Sequence, residues 1–449
     1  MGASLKNIQK KYTLFKKKWT PQQNLFYGFL TYVLAGFVLL CIPIFHKTDV
    51  SILDNLFTAT SAVSTTGLVT VSVFDSYNFF GQFIIMILIQ LGGIGYLTFT
   101  TYMLLSTTKK MTLWHKKILS TEFILPESIQ IKDFLKSVII FTLIMEILGS
   151  IMFFIVFKQD LPFFNALWSA IFHSVSTFCT AGFSLFNNSF IDYANNPLLN
   201  FTVALLAIFG SLGFIVVTDF YLKVKNFTHK ISFTTKIILY GFIILLSFGT
   251  CFLYWFEPSI TQLTQGRLLA SFFQSMSAMT TVGFNTVDFG LFNQSMLLVC
   301  IFLMYVGASP SGTAGGIKIT TLSAIYAIIK SRLRGQKKIT FMHRVIPFER
   351  LYIATSAFIF YTTIIVLGTF LITFTNDFKF EDILFEVASA LGTVGVSTGI
   401  TTKLNTIGKL IIIVLMFIGR LGVLTFGLAL WHRKKENQKH KILKEDIAI

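Results

Sequence analysis

Acidic side chains are scarce in this chain. Asp and Glu number 20 against 37 Lys and Arg, and charged residues of either sign make up 13% of 449 residues. That is far too little charge for an ordinary water-soluble surface. Cysteine is nearly absent as well: Cys41, Cys179, Cys251 and Cys300 lie in apolar blocks or beside them, with no C-x-x-C spacing. This excludes a disulfide framework and a cysteine zinc site. No G-x-G-x-x-G follows a strand pattern, and neither G-x-x-x-x-G-K-[ST] nor H-E-x-x-H occurs, so the chain has no nucleotide or zinc chemistry of its own. The opening "MGASLK" carries Gly2 but Lys6 where a myristoylation signal needs Ser or Thr. No small-residue cleavage site follows the first apolar block, which is therefore expected to remain as an uncleaved span.

Apolar residues fill the space instead. Hydrophobic types reach 54%, with 51 Phe and a mean hydropathy of +0.71. They gather in blocks of about twenty residues, the length of helix that crosses a bilayer core. Eight blocks are expected, at 23–46, 81–105, 134–157, 198–222, 236–256, 295–330, 351–374 and 408–431, the sixth long and broken. The fold class is thus an all-α polytopic membrane protein.

The net charge of +17 is dispersed along the chain. Of the 37 basic residues, 29 fall in the tail up to Lys18, in 109–136, 223–236 and 330–350, and in the tail from Arg433. By the positive-inside rule these segments face the cytoplasm and both termini are inside, which suits eight spans. The excess is read as topology and a lipid-facing surface, with partner docking as a second role and no nucleic-acid role. Exterior loops hold 11 acids, from Asp49 to Glu386, against Lys47, Lys158, Arg267, Lys379, Lys403 and Lys409. A net negative mouth concentrates cations.

Between successive spans, four related strings recur on the exterior side: "ATSAVSTTGLVT" (59–70), "HSVSTFCTAGFSL" (173–185), "QSMSAMTTVGFNT" (274–286) and "EVASALGTVGVST" (386–398). Their glycines, Gly67, Gly182, Gly283 and Gly395, are 115, 101 and 112 residues apart, the sign of a four-fold internal repeat. The expected division is a basic cytoplasmic tail 1–22, repeats at 23–106, 107–233, 234–350 and 351–432, and a basic tail 433–449. Each repeat reads as spanning helix, half-length helix, glycine string and second spanning helix, all four the same way up. The half-length helices, at 52–62, 163–175, 267–278 and 380–391, are too short to cross and must be re-entrant. Non-helical backbone at membrane depth survives only when buried in protein or facing a watery cavity, because unpaired peptide groups in lipid cost several kcal/mol. Four such loops around a pseudo-four-fold axis make a pore.

A dehydrated monovalent cation needs oxygens to replace its water, and rings of backbone carbonyls supply them without trapping it. Glycine permits the backbone turns this requires. Ser64, Thr65, Thr66, Thr180, Thr280, Thr281 and Thr393 offer hydroxyls nearby, alongside Ala181, Val282 and Val394 in the same loops. The negative ends of the short helices favour a cation at the centre. The competing reading of such glycines is close helix packing.

The plan, with "TTGL", "TAGF", "TVGF" and "TVGV", resembles the Trk/Ktr/HKT superfamily of potassium transporters over nearly the whole chain, and within it the bacterial Ktr membrane subunit of the B or D type. The strings "QLGGIGYLTF" (90–99), "GTAGGIKITT" (312–321) and "MFIGRLGVLTF" (416–426) share in the resemblance. It implies potassium uptake across the plasma membrane through a single-chain pore, with potassium as substrate and sodium dependence left open. It also implies a homodimer seated on a cytoplasmic nucleotide-binding ring of the Ktr A or C type, nucleotide acting only through that partner. Gly67 has the identity that goes with potassium over sodium. Residues just before the glycines vary among the loops, Cys179 being an unusual choice, so affinity does not follow. The basic stretch "KSRLRGQKK" (330–338) is a docking surface for the ring on this reading.

The sixth block contains "GASPSGTAGGIK" (307–318), which cannot stay helical around Gly307, Pro310, Gly312, Gly315 and Gly316. It reads as a packing kink or, following the resemblance, as a gating loop that includes Ser309 and Ser311. Arg420 is a cation deep in the last span, where charge is costly and usually functional. It either pairs with a carboxylate or backbone carbonyls or, following the resemblance, stands on the pore axis as a barrier. Lys318 either faces the pore or snorkels to the cytoplasm. Glu146 and Asp219 are membrane-depth acids without assigned partners. Two rival functions remain: a secondary transporter with broken helices, which the shared orientation of the repeats disfavours, and an intramembrane hydrolase built on His173 and Ser174.

Overall fold

The computed structural model describes residues 20–95, 131–225, 228, 230–263, 265–307, 309, 310 and 312–431. The expected basic tails, all of 433–449 and most of 1–22, lie outside these residues, as does most of 109–136. In chain order the main elements are α1 (Pro21–Leu40), α2 (Ile52–Val63), α3 (Phe79–Ile94), α4 (Ile131–Phe157), α5 (Phe163–Phe178), α6 (Pro197–Lys225), α7 (Phe233–Phe256), α8 (Arg267–Thr280) and α9 (Gln294–Tyr305). A parallel two-residue ladder, β1 (Val306–Gly307) with β2 (Ile317–Lys318), leads into α10 (Ile319–Leu333). Then come α11 (Phe348–Thr375), α12 (Phe380–Leu391), α13 (Thr406–Leu421) and α14 (Val423–Trp431).

Helix starts follow local chemistry. Ser51, Asn78, Ser232, Asn293 and Asn405 each accept backbone N–H groups of the following first turn, the ordinary role of a side-chain oxygen at an N-cap. The first span stops at Leu40, earlier than the expected 46, because Pro43 begins a separate 3-10 turn.

Among the described residues, five helices are long and apolar enough to cross a membrane: α1, the 136–157 part of α4, α6, α7 and α11. The pair α13 and α14 passes as one span bent by 98°. The shorter apolar helices α3 and α9 stand in the second and sixth span positions. This is a polytopic membrane protein with pore repeats. Outward faces carry exposed apolar side chains, among them Leu143, Ile243, Val366 and Phe370, as a lipid-facing surface requires.

The four short helices lie inside. From Phe57 to Val63 every residue of α2 is buried, and α5, α8 and α12 are likewise buried through their C-terminal halves. Much of what they bury is polar, including Thr58, Thr60, Ser61, Ser176, Ser277 and Ser389. Hydroxyls removed from solvent in so apolar a chain need hydrogen-bond partners inside the protein.

Two spans expected to be continuous are broken. Gly213 (φ 79) interrupts α6 and Gly422 (φ 81) separates α13 from α14; Gly95 (φ 86) ends α3 in the same way. Each follows by three residues a glycine pressed on the last carbonyl of its own short helix: Gly92 on Val63, Gly210 on Phe178 and Gly419 on Leu391. The G-x-x-G spacing thus lets the second helix touch the short-helix end and then turn aside. In the third repeat the 307–318 segment takes this place.

Candidate functional site

Each glycine string leaves its short helix through the same conformation. Thr65, Thr180, Thr281 and Thr393, two residues before the glycines, hold φ of 51°, 51°, 56° and 48°. Gly67, Gly182, Gly283 and Gly395 hold φ of 93°, 67°, 84° and 92°. A β-branched residue in the left-handed region is strained, and four at equivalent places require that surrounding contacts enforce it.

The four loops meet one another. A methyl carbon on Gly67 would collide with the Ala181 carbonyl oxygen, and one on Gly182 would lie 2.9 Å from both the Val282 oxygen and the Gly283 Cα. On Gly283 it would strike the Val394 oxygen, and on Gly395 the Thr66 oxygen. The contacts run from loop one to two, two to three, three to four and four back to one. The carbonyls of Thr66, Ala181, Val282 and Val394 therefore form a closed ring around a single axis, with no room for a side chain at any of the four glycines.

A serine six residues before each glycine holds the loop to its helix. The carbonyls of Ser61, Ser176, Ser277 and Ser389 accept the N–H of Thr66 (2.9 Å), Ala181 (2.7 Å), Val282 (3.2 Å) and Val394 (2.8 Å). Their hydroxyls bind again beyond: those of Ser61 and Ser389 accept the N–H of Gly67 and Gly395, both at 3.1 Å. Those of Ser176 and Ser277 donate to the carbonyls of Phe183 (2.8 Å) and Phe284 (2.5 Å). All four strings carry S-x-x-x-T-x-G, a signal present in the sequence but overshadowed by the glycines.

A second tier lies nine residues before the glycine. His173 Nε2 accepts the Leu185 N–H (3.2 Å), so the ring proton sits on Nδ1 and is donated to the Ser169 carbonyl at 2.7 Å. Gln274 accepts the Thr286 N–H (3.3 Å) and donates to the Val287 carbonyl (2.5 Å). Glu386 accepts the hydroxyls of Ser397 (2.9 Å) and Thr401. Each pins the segment that climbs outward from its glycine. His173 is thereby fully engaged, while the Ser174 hydroxyl donates to the Glu146 carbonyl at 2.6 Å. The hydrolase pair is not a pair.

On the side away from the 307–318 segment the ring opens into a cavity of about 460 Å³ lined by Gly67, Gly182, Gly283, Gly395, Asn187, Asn285 and Asp288 among others. On the inner side the hydroxyls of Thr65 and Thr393 are buried with no hydrogen-bond partner among the described residues. Thr281 accepts the Gly315 N–H at 3.2 Å, and Thr180 donates to the Cys179 carbonyl at 2.8 Å. Free buried oxygens beneath a ring of carbonyls suit a bare cation.

The 307–318 segment lies directly below. Thr313 donates through its N–H to the Gly210 carbonyl (3.0 Å) and through its hydroxyl to the Phe178 carbonyl (3.4 Å). Gly315 packs against the Gly392 carbonyl and the Thr393 hydroxyl, leaving no space for a side chain, and Gly312 does so against the Ser211 carbonyl. The segment thus touches the inner ends of repeats two, three and four. Gly307 pairs with Lys318 in the short ladder, Gly316 holds φ 69°, and the Ser309 hydroxyl donates to the Pro310 carbonyl at 2.9 Å. Ser311 lies outside the described residues.

Arg420 completes the belt. Its guanidinium donates to the carbonyls of Thr313 (2.5 Å), Gly93 (3.2 Å) and Gly92, tying the segment to the first repeat. Lys318 Nζ donates to the carbonyls of Ala314 (2.5 Å) and Gly315 (3.1 Å). Arg420, Lys318 and glycines 92, 93, 312, 315 and 316 line a cavity of about 250 Å³ on the inner side. Lys318 is therefore turned inward on its own loop rather than snorkelling. The two membrane-depth acids have partners within the protein. Asp219 accepts the Ser232 N–H (2.8 Å) and the Thr235 hydroxyl (2.7 Å) at the start of α7, and Glu146 lies 4.0 Å from Cys179 Sγ.

The sequence pattern of the TrkH family, described as cation transport protein, matches residues 11–440. Ktr system potassium uptake protein B of Vibrio alginolyticus is 34% identical over 418 residues, covering 92% of this chain and 91% of that one. The protein of the same description from Bacillus subtilis is 33% identical over 440 residues, covering 96% and 98%. The potassium/sodium uptake protein NtpJ of Enterococcus hirae is 32% identical, covering 95% and 96%. The crystal structure of the potassium transporter TrkH from Vibrio parahaemolyticus matches the fold with a TM-score of 0.70 at 19% identity, over 90% of this chain and 86% of that one. The chain belongs to the TrkH family of cation transport proteins.

Proposed function

We propose that the chain takes up potassium across the plasma membrane through a single-chain pore, with Gly67, Gly182, Gly283 and Gly395 forming the narrow part of its filter. The observation that carries this reading is the closed cycle of contacts in which each glycine abuts the carbonyl of the next loop. Rings of neutral oxygens at matched height can strip and release an alkali ion in this way. The relatives described as potassium uptake proteins supply the ion's identity, and the one described as a potassium/sodium uptake protein motivates testing sodium dependence. The segment from Gly307 to Lys318, latched by Arg420, is the gate: it sits beneath the ring, tied to all four repeats by contacts that a modest shift would break.

The chain has no nucleotide motif, so its control comes from a partner: a cytoplasmic nucleotide-binding ring on which a homodimer sits, with both termini on the same side. The name Ktr system carried by several relatives supports an assembly of more than one component. The exposed basic residues Arg332, Arg334, Lys337 and Lys338, with the half-buried Lys330, are the docking surface. Complementation of a potassium-uptake-deficient bacterium, with and without a regulatory subunit, tests the function. Growth at low potassium supports it, and a correctly inserted protein that never restores growth in either setting removes it.

A further inference from the structure

The four loops are not chemically equivalent, and the difference divides them into halves. In repeats two and three the serine hydroxyls of Ser176 and Ser277 donate to the carbonyls of Phe183 and Phe284, the residues just outside the glycines. Those serines belong to the short helices behind the loops, so the bonds turn both oxygens away from the axis. In repeats one and four the same hydroxyls take the N–H of Gly67 and Gly395 instead. No hydrogen bond among the described residues is made to the carbonyls of Leu68 and Val396, the corresponding oxygens. The inner end repeats the split: the Thr65 and Thr393 hydroxyls have no partner among the described residues, whereas the Thr281 hydroxyl accepts the Gly315 N–H and the Thr180 hydroxyl donates to the Cys179 carbonyl.

Phe183, Phe284, Leu68 and Val396 are all buried, and in the third repeat the Phe284 ring lies 4.5 Å from that of Phe190, which anchors the outgoing peptide against the body of the protein. Leu68 and Val396 have no aromatic ring to anchor in this way. Repeats one and four are neighbours in the ring, since Gly395 abuts the Thr66 carbonyl, so their free oxygens lie side by side.

We propose that the outer cation site is lopsided. Leu68 and Val396 supply its backbone ligands, while Ser176 and Ser277 are positioning residues that hold the opposite two carbonyls out of it. A monovalent cation arriving there keeps part of its hydration on the side of repeats two and three. It then exchanges that water for the four-oxygen ring two residues further in. A site with two protein oxygens binds weakly and releases readily, which favours throughput over retention.

This inference rests on the pore reading, and the experiment separates the two. Potassium uptake by the full-length protein is measured in a deficient bacterium for Ser176→Ala, Ser277→Ala, Ser61→Ala and Ser389→Ala, with Gly67→Ser alongside. Loss of one hydrogen bond is worth about fivefold in an equilibrium. Ser176→Ala and Ser277→Ala free a carbonyl to face the ion, so KM for potassium falls about fivefold and Vmax falls with it. Ser61→Ala and Ser389→Ala leave a glycine N–H unpaired, so KM rises and discrimination against sodium weakens. Ser176→Thr restores the hydroxyl and returns KM toward the parent value. Potassium binding to purified protein, followed by thermal stabilisation, reads the same sign for variants with poor insertion. If all four alanine variants shift KM in one direction while Gly67→Ser still alters ion preference, the lopsided site is wrong and the pore stands. If neither set alters ion preference or KM, both readings fall.

Discussion

Replacing Gly67 by serine attacks the ring at one point, and the structure allows its effect to be separated into two parts. Gly67 holds φ +93°, where any side chain costs about 1–3 kcal/mol of backbone strain. In addition its new Cβ would collide with the Ala181 oxygen and approach Gly182 Cα to 3.0 Å, so fixed backbone in the neighbouring loop must move. Strain alone lowers stability and treats all ions alike. Displacing the Ala181 carbonyl alters a ligand and acts on ion preference. A differential loss of about 1.4 kcal/mol makes potassium over sodium preference fall tenfold. Gly399 provides the control, since it has the same φ of +93° but nothing within 4 Å of an added Cβ. Paired potassium and sodium uptake measurements should show Gly67→Ser admitting sodium while Gly399→Ser keeps the parent preference at a similar cost in thermal stability. An unchanged ratio in Gly67→Ser at normal membrane abundance, or an equal loss in Gly399→Ser, would refute the reasoning.

Shortening 309–316 removes the contacts of Thr313 and Gly315 beneath the ring and should raise potassium flux; unchanged or lower flux in a folded protein would reduce the segment to packing. Arg420→Gln breaks charge-assisted bonds to Thr313, Gly92 and Gly93 carbonyls worth about 1.5–3 kcal/mol each. The open population should rise about tenfold or more, read as uptake per unit of inserted protein, whereas failure to accumulate would mark the side chain as a structural tie. At the seam between the first and last repeats Lys409 pairs with Asp54 at 2.7 Å. Burial pulls the Asp54 carboxyl upward, but hydrogen bonds from Lys409 and Ser51 and the Lys409 charge outweigh it and hold the group below its ordinary 3.8. The stabilisation is therefore present above that value and lost as pH falls through the depressed one. Thermal midpoints of the purified protein should drop on such acidification, and Lys409→Met should lower the neutral midpoint and remove that part of the acid dependence.

The short helices were plain in the sequence, because a half-length apolar stretch ahead of a glycine string can neither cross a bilayer nor lie in a soluble loop, and so must dip in and return. Expected and observed limits differ by at most a few residues for α2, α5, α8 and α12. The breaks at Gly213 and Gly422 were less visible, since an isolated glycine in an apolar run reads equally as a packing residue. Only contact of Gly210 and Gly419 with the short-helix ends shows why the chain must turn there. The serines at positions 61, 176, 277 and 389 were hidden for another reason: a hydroxyl in a helix usually bonds its own preceding turn, and its reach past the glycine depends on the loop folding back. Arg420 declared itself as costly by position alone, but its carbonyl partners come from segments more than 100 and more than 300 residues away. No local pattern encodes that.

The most direct measurement is the position of rubidium or thallium, taken as potassium substitutes, in a density map of the protein. The account predicts a peak on the axis shared by Gly67, Gly182, Gly283 and Gly395, coordinated by the carbonyls of Thr66, Ala181, Val282 and Val394. Ions bound only elsewhere, with that ring closed and empty in a transport-competent preparation, would contradict it.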